Sequence, residues 1–152
     1  LDLSFVKFST RRGKSLKSEQ KKLERIAGGA EISADNIYFT SGAGTPNATA
    51  LSTMAILAGG KVQPGALGLI DGGVARHSAI RISVEQRGFA KGGPMASNHA
   101  TAIASLISAS QKSGSRGLLA ADIYGRDPAG GNATAIARAL GWMSKPRRER
   151  EC

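Results

Sequence analysis

Two side chains in this sequence have the chemistry to share a proton: Asp71, in "GLIDGGVARHSAI", and His99, in "SNHATAIASLI". A carboxylate that accepts from one imidazole nitrogen fixes the ring's tautomer and leaves the other nitrogen as a base. Such a pair is two-thirds of the machinery that activates a hydroxyl nucleophile. Asp71 closes a short apolar run and is followed at once by Gly72 and Gly73. Their missing side chains let neighbouring backbone approach the carboxylate and leave space for a partner histidine. Each residue also has an ordinary explanation. An aspartate before Gly-Gly is common turn chemistry, and a histidine beside a helix cap is commonly a surface residue.

The elements that must position this pair are legible as hydrophobic patterns. "ALGLID", bounded by glycine and Pro64, predicts a strand buried on both faces, and "GLLAADIYG" predicts another. "HATAIASLISASQ" places Ala100, Ile103, Ala104 and Ile107 on one helical face, with Asn98 or Ser97 able to cap its start. "GGNATAIARALGWM" predicts a second helix, with Ile136, Ala139 and Leu140 on one stripe. From residue 66 the order is strand, loop, helix, strand, helix, which predicts an α/β fold: a parallel sheet with flanking helices and right-handed crossovers. In such sheets function gathers at the carboxyl ends of strands, where Asp71 lies. His99 opens the next helix, whose positive dipole end disfavours imidazolium and so preserves the base.

Composition bounds the function classes. The chain has 152 residues, 41% of them hydrophobic, enough for one domain with a core. Its formal charge of +10 invites a nucleic-acid partner. The excess sits mostly at the ends: residues 1–26 carry eight Lys/Arg against three acids, residues 27–144 nine against six, and residues 145–152 four against two. "STRRGKSLKSEQKKLERIA" is a basic helical stretch without interleaved aromatics, so a solvated face or tail is favoured over nucleic-acid binding. The single cysteine, Cys152, permits no internal disulfide, and two histidines with one thiol at wide spacing match no zinc pattern. No metal or other cofactor is expected. No apolar stretch reaches the ~18 residues of a membrane span. The sequence opens with "LDLSFVKFST", without Met or a visible signal peptide.

The two blocks around the pair carry a resemblance. "DGGVARHSAI" resembles the aspartate block of the subtilisin-like serine peptidases, D-[ST]-G-[IV] with a nearby His-Pro, through Asp71, Gly73, Val74 and His77. "HATAIASL" resembles their histidine block, H-G-T-x-[VI]-A, through His99, Thr101, Ile103 and Ala104, 28 residues further on. "GLLAADIYGRDPAGGNATAIARALGWM" is similar to the family's next strand, loop and helix, so the likeness spans about residues 66–143. The resemblance implies a serine endopeptidase in which Asp71 orients His99 and His99 takes the proton of an attacking serine. It implies peptide or protein substrates for the full-length family, a secreted or periplasmic setting, and a structural role for His77. Gly72 stands where the family has Ser/Thr, and Ala100 where it has Gly. Asp122 reads as an ordinary strand residue near the helix crossover, with a substrate-side role as the alternative.

The nucleophile is missing. Neither the family's G-T-S-x-A-x-P block nor its oxyanion asparagine occurs among the 152 residues. Ser97 and Ser105 flank His99 without a strained nucleophile elbow, and "SGAGTPNATA" has Pro46 where the serine belongs. Where the family continues into an apolar strand, "SKPRREREC" is polar and basic, which reads as a truncated or frame-shifted gene. The expected organisation is therefore a charged N-terminal segment and linker over 1–64, with a possible propeptide remnant or an unrelated linker, a partial subtilisin-like domain over 65–143, and a basic tail over 144–152. The chain alone is expected to be inactive. The competing reading is a small basic domain that binds nucleic acid or an acidic partner without catalysis. A nucleotide-binding α/β domain ranks last, because both glycine-rich phosphate motifs are absent.

Overall fold

The computed structural model describes residues 4–38, 66–111, 117–127 and 131–150. The small-residue linker after residue 43, its Pro46 stretch and Cys152 lie outside these residues. The elements are α1 (Leu16–Ile26), β1 (Ile37–Tyr38), β2 (Leu67–Asp71), β3 (Val84–Gly88), α2 (Asn98–Ser110), β4 (Leu118–Asp122), β5 (Gly131–Asn132), α3 (Ala133–Met143) and α4 (Arg147–Arg150). The protein is thus mixed α/β, with a three-stranded parallel sheet in the order β2-β4-β3 and a two-stranded antiparallel pair, β1 with β5.

β4 is the centre of the molecule because its sequence, LLAAD, is buried at every position. Successive side chains of a strand point to opposite faces, so β4 serves two cores. Leu118 and Ala120 pack with Ala100 and Ala104 of α2, and with Val74. Leu119, Ala121 and Ile123 pack with Ala135, Ala139 and Trp142 of α3. α2 and α3 therefore cover opposite faces of the sheet. Alanines on both partners let helix and strand backbones approach closely, as the Gly- and Ala-rich composition implies.

Three local expectations change. β2 is only partly buried until Asp71, because among the described residues β4 alone flanks it, on one side. β3 lies in the stretch read as loop: its sequence VEQRG carries one β-branched apolar residue, and an edge strand that is half solvated has no need of a continuous apolar run. Leu140 of α3 is 48% exposed, and Trp142 takes the core position instead.

The N-terminal segment is tied to α3. β1 pairs with β5 through Ile37 opposite Asn132 and Tyr38 opposite Gly131. Asp35 receives the Thr134 N–H at 2.9 Å and pairs with Lys7. Asn132 caps the same helix by accepting from the Ala135 N–H. α1 buries none of its residues, in keeping with a solvated basic helix. At the other end, Arg150 of α4 holds Glu85 of β3 with two nitrogens, at 2.9 and 3.1 Å. That guanidinium, through its hydrogen bonds, lowers the Glu85 carboxyl below its ordinary value despite partial desolvation.

Candidate functional site

The site is assembled at the carboxyl ends of β2 and β4. Asp71 and Asp122 stand in register across these two strands, one closing each. Parallel register puts both carboxylates on the same side of the sheet, yet they have different occupations.

Asp122 is spent on backbone. Its side chain is buried (1% exposed). One oxygen accepts from the Met95 N–H at 2.6 Å, and the other accepts from the Tyr124 and Gly125 N–H groups at 2.9 and 2.8 Å. A buried carboxylate surrounded by three backbone donors is stabilised as a structural anchor. It ties the segment before α2 to the turn after β4.

Asp71 is spent on the imidazole. Its Oδ1 accepts from the Gly72 N–H at 2.6 Å, and its Oδ2 lies 2.7 Å from His99 Nδ1. The carboxylate is largely buried, whereas the His99 side chain is half exposed, at 51%. With Nδ1 donating to the carboxylate, Nε2 is the remaining basic nitrogen, and among the described residues nothing is hydrogen-bonded to it. The structure thus brings Asp71 and His99 together across 28 residues of sequence.

The Gly-Gly pair does something other than leave space for the ring. The backbone of residues 95–97 fills it. The Gly73 N–H donates to the Met95 carbonyl at 2.8 Å, and the Ser97 N–H donates to the Gly73 carbonyl at 2.8 Å. A Cβ at position 73 would lie 2.7 Å from the Met95 oxygen, and one at position 72 would lie 2.7 Å from Ser97 Oγ. Only glycines allow this approach, and it places the start of α2 directly over the end of β2. Ser97, one of the two candidate caps, accepts from the Ala100 N–H at 3.0 Å. Thr101, of the histidine block, donates to the Ser97 carbonyl and accepts from the Ala75 N–H, fastening the helix start to the chain after Asp71. Ser97 is committed as a cap, and Ser105 donates to the Ala102 carbonyl one turn back. His77 makes a local turn, accepting from the Ala79 N–H on Nδ1, and stands outside the pair.

Tyr124 is the neighbour that sequence reasoning missed. Partial burial, and then the field of the Asp71 carboxylate, push its phenol above the ordinary value of 10.0, so it stays a neutral donor. The signal available in the sequence was its position, two residues beyond an aspartate that closes a strand. Among the described residues, no group of three or more His, Cys, Asp or Glu side chains could hold a metal ion. No helix among them is long and apolar enough to cross a membrane.

Compared with known proteins, the chain matches no family model, no curated protein and no solved structure.

Proposed function

We propose that this chain carries the Asp-His half of a subtilisin-like serine endopeptidase site and has no peptidase turnover by itself. The observation that carries the reading is the 2.7 Å contact from His99 Nδ1 to Asp71 Oδ2, made by a largely buried carboxylate and a half-exposed ring. The block resemblance around both residues supports it. In this reading the three-stranded sheet, with α2 and α3 on opposite faces, is the portion of a subtilisin-like fold that these residues contribute.

The chemistry follows from the pair. Asp71 keeps the proton on Nδ1, and Nε2 takes the proton of a serine hydroxyl as its oxygen bonds to a peptide carbonyl carbon. Asp71 then stabilises the imidazolium, which gives its proton to the departing amine as the peptide C–N bond breaks. The serine must come from a sequence block that these 152 residues do not contain.

Two measurements test the reading. Fluorophosphonate labelling should modify no serine of this chain, and covalent labelling of one would refute the missing nucleophile. Acylation by diethyl pyrocarbonate compares the chain's two histidines, His77 and His99, in one sample. We expect His99 to react several-fold faster than His77, and D71A to bring it to the His77 rate. Equal rates in the parent protein would overturn the base assignment.

A further inference from the structure

We infer that the groove between α3 and the end of β3 is a binding site for a small organic anion with a flat aromatic ring and a phosphate group, separate from the Asp71-His99 pair. The pair is made by the strand ends and α2, whereas this groove opens on the α3 side of the sheet. It is a cavity of about 560 Å³ lined by Phe5, Arg87, Phe89, Arg138, Trp142 and Lys145, among others. That volume lies within the range of small-molecule sites, roughly 300–1,000 Å³.

Charge selects the ligand's sign. Arg87, Arg138 and Lys145 are all exposed, and no Asp or Glu lines the cavity. Among the described residues, none of the three cations has a carboxylate partner, although Arg150 and Glu85 pair nearby. Three uncompensated cations around one cavity raise the local concentration of anions. Two guanidinium forks and an ammonium suit a phosphate dianion better than a single carboxylate.

The rings select its shape. Arg87 lies over Phe89, at 5.9 Å from the ring centroid, and Arg138 over Phe5, at 5.6 Å. Phe89 in turn packs against Trp142, with centroids 5.8 Å apart. Cation–π contact uses the face of a guanidinium and leaves its in-plane N–H groups to donate. A flat ring entering the groove meets aromatic and guanidinium faces, while its phosphate meets guanidinium edges and Lys145. The three cations border one half-open groove of bounded volume, which favours a single ring and phosphate over a long track of single-stranded nucleic acid.

Trp142 is the chain's only tryptophan and reports on the groove directly. The test titrates the full chain with adenosine 5′-monophosphate at low salt and follows its emission. Adenosine supplies the ring alone, and inorganic phosphate supplies the charge alone. We expect a saturable response to the nucleotide and at least about tenfold weaker responses to adenosine and phosphate. R87Q/R138Q, which changes two exposed side chains, should weaken nucleotide binding at least about tenfold with an unchanged circular dichroism spectrum. Absence of saturation at millimolar nucleotide, an equal response to adenosine, or an affinity unchanged in R87Q/R138Q would each overturn the site. Tight binding of single-stranded oligonucleotides with the mononucleotide inert would overturn the small-ligand assignment in favour of a nucleic-acid surface.

Discussion

At the scale of single residues, two in-register aspartates divide the labour of the site. Asp122 absorbs three backbone N–H groups, so that Asp71 can give one oxygen to an imidazole. Replacing Asp122 by Ala leaves those partly buried donors without their acceptor. D122A should therefore cost about 1–3 kcal/mol in urea-induced unfolding, the range for a buried group left unsatisfied. A loss below about 1 kcal/mol would mean that water replaces the carboxylate and that the anchor role is wrong. Gly73 matters through what it lacks. G73A drives a methyl group into the Met95 carbonyl, which is backbone and cannot rotate away. We expect it to destabilise by about 1–3 kcal/mol, the usual cost of overpacking, with a lower midpoint at an unchanged denaturant slope.

At the scale of elements, the start of α3 is held from two sides, by Asn132 within the chain's own turn and by Asp35 from the N-terminal segment. Burial works against the Asp35 charge, but the Lys7 ammonium and the Thr134 N–H outweigh it and hold the carboxyl below its ordinary 3.8. A carboxyl depressed in the folded state adds stability that is complete above its unfolded value. That stability is lost as pH falls through the lower folded value. Acidification into that window should release the segment from α3, exposing the amides of β1 and β5 to hydrogen exchange before those of β4. D35A, which removes the acceptor, should show the faster exchange already at neutral pH and respond little to acid; identical exchange in parent and variant would show that the contact does not hold the segment. The Lys7 hydrogen bond is the larger of the lowering contacts, but that ammonium is half exposed, so solvent screening keeps its stability contribution small.

At the scale of the whole molecule, the parallel sheet has, among the described residues, one protected strand and two edges. β3 presents Glu85, Gln86 and Arg87, a polar edge further engaged by Arg150. β2 leaves one line of backbone groups unpaired among the described residues, while its Leu67, Leu69 and Ile70 side chains pack against the two cores. Unpaired strand backbone templates association, so the chain should self-associate through β2 as its concentration rises. Sedimentation velocity should show reversible growth in mass with concentration; a monomer at all concentrations would count against an open β2 edge.

Local pattern in the sequence was enough for α2, α3 and β4, because a small-residue helix and a fully buried strand leave strong periodic signals; the pairing of Asp71 with His99 was expected only with the help of the block resemblance. It was not enough for β3, whose half-solvated edge has no such period, nor for Trp142 displacing Leu140 from the core. The Gly-Gly pair was visible as an invitation to close approach, but which group accepted it depended on the path of residues 95–97. Asp122 and Asp71 each looked like a strand-closing aspartate. Which backbone donors or imidazole nitrogen reached each carboxylate was decided only in three dimensions. The groove cations are spread over positions 87, 138 and 145 and become one field only when the end of β3 and α3 line one cavity. Charge and hydrogen bonding act through space, whereas sequence pattern reports on neighbours along the chain.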